Sequence, residues 1–240
     1  MKKLFLMAFL AVGMTANAET LVANDGDESK NKSLIDLGQG KDDNDRWTMH
    51  AYVGVDVPTG VSEGMSFAPF RSWELNLTIL QYDYTPGKSK TTLSAGLGFN
   101  WRVYTLKGHD QYFDKGSDAW IMVKKVAPGD NTFNDLSSNV HTTSLSMPLM
   151  LKQRFSKKFA VSVGAQLNWN FWGRIHNYYE NGDRQYDEYI KKVGQRDFTV
   201  DVMGIVHVGD IGIYCKYSPM SVLEKDRGPK FQSLAFGVYL

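Results

Sequence analysis

The stretch that most restricts the fold is residues 158–173, KFAVSVGAQLNWNFWG. Phe159, Val161, Val163, Ala165, Leu167, Trp169 and Phe171 occupy alternate positions, and all are apolar. Ala160, Ser162, Gly164, Gln166, Asn168, Asn170 and Trp172 lie between them and are mostly small or polar. A period of two predicts a β-strand whose two faces meet different solvents. Strands in soluble sheets usually run about 5–6 residues. A tilted strand crossing a bilayer needs about 9–11. The alternation here is long enough for the second case.

Seven further segments repeat the pattern: 46–57, 72–82, 91–104, 142–155, 197–208, 211–217 and 231–240. In 91–104, Leu93, Ala95, Leu97, Phe99, Trp101 and Val103 oppose Ser94, Gly96, Gly98, Asn100 and Arg102. In 72–82, Trp73, Leu75, Leu77 and Ile79 oppose Glu74, Asn76, Thr78 and Leu80. The connections are sorted by length. Residues 83–90, 156–157 and 209–210 are short; 58–71, 105–141, 174–196 and 218–230 are long. Short turns on one side and long loops on the other predict an all-β fold, an eight-stranded antiparallel transmembrane up-and-down β-barrel with short periplasmic turns and long extracellular loops. Lipid offers backbone groups no partners, so such a sheet must close on itself. A lipocalin-like soluble barrel would need an outward polar face rich in Lys and Glu. Here the polar face is rich in Gly, Ser, Asn and Thr.

Residues 1–18 read as a cleaved signal peptide. Lys2 and Lys3 precede an apolar run from Leu4 to Val12, and Ala16-Asn17-Ala18 supplies small residues for cleavage. Residues 19–45 are polar and read as a flexible periplasmic lead-in, with Leu34, Ile35 and Leu37 the only candidate docking segment. Residues 46–240 form the barrel. Cys215 is the only cysteine, which excludes an internal disulfide, and the net charge of +1 argues against a nucleic-acid footprint.

Eight strands leave an interior that side chains just fill. The inward set includes His50, Asp56, Glu74, Arg102, Lys152, Asp201, His207 and Lys216. Acids and bases nearly balance there, and buried charges need partners, so the expectation is a filled, mutually paired lumen. Trp47, Trp73, Trp101, Trp169, Phe171 and Tyr239 lie near strand ends, as interfacial aromatic girdles do. Within loop 105–141, Ala119–Val126 has strand character, and its apolar residues could cap the barrel mouth.

Three stretches resemble the bacterial outer-membrane β-barrel domain family that includes the PorT-like group. They are SLSMPLMLKQRF (residues 144–155), FAVSVGAQLN (159–168) and YSPMSVLEKDRGPKFQSLAFGVYL (217–240). The chain departs from many such barrels by ending in Tyr239-Leu240 instead of Phe. The resemblance implies localisation in the cell outer membrane, with lipid and lipopolysaccharide as surroundings. It also implies a C-terminal strand read by the insertion machinery. Some relatives assist secretion, but no residue here carries that role over.

No P-loop, CxxC, HExxH or GxSxG motif occurs. No catalytic, cofactor-binding or metal site is therefore assigned. The leading expectation is a monomeric structural or surface-interaction protein. Its alternative is a lipid A-modifying hydrolase or transferase drawing on His109, Asp110, His141, Ser144 or His176 near the outer rim. Loop 174–196, with Tyr178, Tyr179, Tyr186 and Tyr189, is the candidate contact surface for a glycan or protein.

Overall fold

The computed structural model describes residues 35–39, 46–116, 120–127, 134–182, 184–209 and 211–240. The signal-peptide reading of residues 1–18 lies outside the described residues, as does most of the lead-in.

The described residues form β-strands, with no α-helix. They are β1 (Ile35–Gln39), β2 (Arg46–Thr59), β3 (Trp73–Tyr84), β4 (Thr91–Thr105), β5 (Gln111–Lys115) and β6 (Ile121–Lys125). There follow β7 (Asn134–Arg154), β8 (Phe159–Asn181), β9 (Arg184–Lys191), β10 (Phe198–Val208), β11 (Ile211–Ser218) and β12 (Gln232–Tyr239). Eight of them, β2, β3, β4, β7, β8, β10, β11 and β12, close into an antiparallel ring, β12 pairing back onto β2. These eight are the segments that the alternation predicts.

The apolar faces point outward. Leu93, Leu97, Leu149, Leu151, Val163, Leu167, Val202, Val206, Ile213, Phe236 and Val238 are all exposed. The intervening polar residues are buried inside the ring, among them Glu74, Asn76, Asn100, Arg102, Ser146, Gln166, Asp201 and Lys216. Gly54 and Gly237 leave room for the Tyr214 side chain; a Cβ on Gly54 would lie 2.2 Å from the Tyr214 hydroxyl.

Two bulges override strict alternation. In β3 the register shifts between Thr78 and Leu80, so Ile79 and Leu80 are each 43% exposed. Leu80, which alternation places inside, therefore faces out, and Gln81 and Asp83 are the buried ones. In β8 one extra residue is accommodated where Thr143 pairs with Trp172 and Leu145 with Trp169. A bulge of this kind puts two residues opposite one. Phe171 and Trp172 are consequently both exposed. Beyond it Ile175 and Asn177 turn inward.

Three expectations need correction. Ile35–Gln39, assigned to a flexible lead-in, forms β1 and pairs with Arg46–Met49 of β2. It covers the edge of β2 that β12 leaves open below Tyr52, and an unpaired edge is a liability. Tyr239, assigned to an aromatic girdle, packs against an interior cluster that includes Tyr52 and Tyr214. Loop 174–196 is largely strand. β8 runs 23 residues and pairs with β9, while β7 runs 21, so all three project beyond the ring on the long-loop side.

Candidate functional site

Three features fill or surround the long-loop half of the ring: a buried polar layer, an apolar plug above it, and the outward face of the β7–β8–β9 extension.

The polar layer is built because inward positions on all eight ring strands carry polar side chains at similar height. Arg102 (β4) pairs with Asp201 (β10), and its Nε lies 3.3 Å from Glu74 Oε2 (β3). Lys216 Nζ (β11) lies 2.6 Å from the same Glu74 oxygen and 3.9 Å from Asp201. Two cations and two carboxylates are thus mutually neutralised, all nearly inaccessible. Hydrogen bonds satisfy what remains. Lys216 donates to Tyr52 Oη at 2.8 Å, Tyr52 donates to Gln166 at 2.9 Å, and Tyr214 donates to Glu74 at 2.8 Å. Asp201 accepts from Ser218 at 2.5 Å and Asn168 at 2.8 Å. Asp56 accepts from Ser233 at 2.7 Å, and Asn76 donates to Ser146 at 2.9 Å. Arg102, Lys216, Glu74 and Asp201 each have an opposite charge beside them, as burial requires, although Glu74 Oε2 meets its two cations as ion pairs without a hydrogen bond. Sequence reasoning found its charged members. It placed Tyr52, Tyr214 and Gln166 on inward faces without their contacts, because alternation says which side a residue faces but not which residues meet across a lumen.

Above this layer lies an apolar plug, to which all four long connections contribute. Met65 and Phe67, Phe113 and Ile121, Val193, and Val222, Leu223 and Phe231 pack against Tyr104, Val140 and Ile175 of the wall. Phe67 and Phe231 rings lie 4.9 Å apart. β5 and β6 pair as a hairpin within loop 105–141, so the expected apolar cap is present. Ser138 and Asn177 fasten it: Phe113 N donates to Ser138 Oγ at 3.0 Å and Asn177 Nδ2 to the Phe113 carbonyl at 2.8 Å. The void between plug and polar layer, lined by Arg102, Tyr104, Thr142 and Asn170, holds about 10 Å³, room for about one water. On the exposed side of the hairpin, Lys124 pairs with Asp114, which raises the lysine's pKa.

The expected rim chemistry is not brought together. Ser144 is buried in the lumen and bonds Asn170. His141, three residues away on the same strand, faces the other side, as strand geometry requires. The His109 Nδ1 contacts the Leu136 carbonyl at 2.9 Å, and His176 Nε2 contacts Asp187 at 2.7 Å. None of these three rim histidines hydrogen-bonds a hydroxyl among the described residues. A Ser–His contact that sequence reasoning missed, Ser162 Oγ to His207 Nε2 at 2.8 Å, lies at the short-turn end of the lumen. No carboxylate orients that histidine among the described residues. No group of residues suited to hold a metal occurs among them.

The four tyrosines of loop 174–196 divide between two faces. Tyr179 and Tyr186 pair and stack on one. Tyr178 and Tyr189 belong to the other, where Tyr178 donates to Glu180 at 2.7 Å, a bond that raises its pKa. On that outward face Tyr189 stacks on His176, with centroids 4.6 Å apart. The Arg174 guanidinium lies over Trp172 at 4.9 Å and Tyr189 at 5.1 Å.

Compared with known proteins, the chain matches no family model and no curated protein.

Proposed function

We propose that the protein is an exported integral outer-membrane β-barrel of up-and-down topology, sealed by its polar layer and plug, that acts as a structural or surface-interaction element through its extracellular extension. One observation carries this reading: along single strands the buried face changes character partway up. On β7, Leu145, Met147, Leu149 and Leu151 face out, while Leu136 and Val140 near the top face in. On β8, Val163, Leu167 and Trp169 face out and Ile175 faces in. A strand keeps one solvent preference per face unless the surrounding solvent changes. Lipid around the lower part and water around the upper part account for the inversion. Aromatic clusters bracket the exposed apolar band. Trp47 with Tyr82, and Phe155 with Phe159, lie at the short-turn end. Phe99, Trp101, Trp169 and Phe171 lie at the other. An exposed apolar surface of this extent on a soluble monomer would drive association. The resemblance to PorT-like barrels agrees with this class of protein and adds no defined activity.

The test is mobility on SDS gels with and without boiling, applied to the outer-membrane fraction. A folded species that migrates differently from the boiled chain is expected. Recovery of the mature chain as a soluble periplasmic protein would overturn the reading.

A further inference from the structure

Resting on the membrane reading above, we infer that the outward face of the β7–β8–β9 extension is a binding site for the phosphate of an outer-leaflet glycolipid. The site starts from register. His141 of β7 pairs with Arg174 of β8, and Arg174 pairs with Lys191 of β9. Residues directly opposite in antiparallel strands present their side chains on the same face. Arg174 and Lys191 are therefore two cations set opposite one another, and His141, kept neutral by burial and by the Arg174 charge, completes the row across three adjacent strands. Like charges placed opposite one another are destabilising unless an anion joins them. No acid among the described residues does so. The acid nearest on this face, Asp187, is held by His176. Among the described residues the Arg174 guanidinium and the Lys191 ammonium have no acceptor, and Arg174 Nε and His141 Nε2 are buried atoms without a hydrogen-bond partner.

Arg174 is also held ready. Flanked by the Trp172 and Tyr189 rings, its planar fork is fixed without its donors being used, the arrangement suited to a phosphate. The height of the row selects the source of the anion. Trp172, one position below on the same face, pairs with Thr143 next to Trp101, at the upper edge of the apolar band. Cations just above an interfacial aromatic belt meet headgroup phosphates, while the acyl chains lie against the belt. The β8 bulge makes the site: without it Arg174 would point into the ring and Ile175 out.

The test uses the full mature chain purified in detergent, titrated with diphosphoryl lipid A, with lipid A stripped of its phosphates, and with inorganic phosphate, and read by native mass spectrometry. The expected result is saturable binding of the diphosphoryl form, at least about tenfold tighter than the stripped form, since loss of a charge-assisted contact is worth about a decade in affinity. Arg174→Gln and, separately, Lys191→Gln should each weaken that binding about tenfold, whereas Lys124→Gln on the plug hairpin should leave it unchanged. Lys191 sits on the exposed strand β9, so its variant folds even if the Arg174 variant does not. Equal binding of stripped lipid A, undiminished binding by Lys191→Gln, or inorganic phosphate binding as tightly as lipid A would overturn the inference. Failure of the barrel reading is seen separately, as absence of the gel-mobility shift in the wild-type chain.

Discussion

The middle of the ring and its mouth are filled by opposite chemistries. In the middle, Arg102, Lys216, Glu74 and Asp201 are packed among hydrogen-bonded Tyr, Gln, Asn and Ser side chains. At the mouth, Phe67, Phe113, Ile121, Leu223 and Phe231 form an ordinary hydrocarbon core. The same strands wall both regions. On the membrane reading proposed above, what differs is the solvent outside. Where lipid covers the outer face, apolar side chains lose nothing by facing out, and the interior receives the polar groups. Where water covers it, the hydrophobic effect again drives apolar groups inward.

The comparison is most sharply tested in the middle. Glu74→Ala removes the carboxylate shared by Arg102 and Lys216 and leaves buried positive charge under-compensated. The expected loss is about 3–5 kcal/mol, read by urea unfolding in detergent or bilayers. A loss under about 1 kcal/mol would mean that water reaches the layer. At the mouth, Phe231→Ala should cost about 3 kcal/mol as a cavity in a packed core. It should also admit protease to the long loops while the gel-mobility shift persists; loss of that shift would show that the ring depends on its plug.

On the outer face, Val163→Arg places a charge in the middle of the apolar band and should cost about 2–4 kcal/mol in a bilayer. Gly54→Ala crowds Tyr214 and the Phe236 carbonyl and should cost about 1–3 kcal/mol as overpacking. The smallest effect belongs to Lys124. Its pKa is raised by Asp114, so its pairing is complete below the lysine's ordinary value and is lost only as pH rises through the raised one. Stability of the Lys124→Met variant should therefore track wild type between roughly pH 6 and 8. A divergence there would assign the hairpin a role that an exposed ion pair does not have.

Most of the architecture was legible because a long strand with one apolar and one polar face advertises itself. The period-two pattern names the eight ring strands and most of their faces, and the order of short and long connections names the two ends. The charged lumen was legible for the same reason: Glu74, Arg102, Asp201 and Lys216 stand on polar faces that have nowhere to go but inside. The candidate site at Arg174 was not. By parity alone Arg174 shares a face with Ser162 and Gln166, which are buried. An extra residue at Phe171–Trp172 moves it outside, and nothing in the local alternation marks that residue as the extra one.

Sequence by itself thus determined the eight ring strands, most of their amphipathic faces and the sorting of loops, since these are local periodicities set by where Cβ atoms point. Tertiary structure alone decided which polar residues meet across the lumen, how four separate loops combine into one plug, and where β3 and β8 slip by a residue. Those are outcomes of closure and packing between segments far apart in the chain, and no local period encodes them.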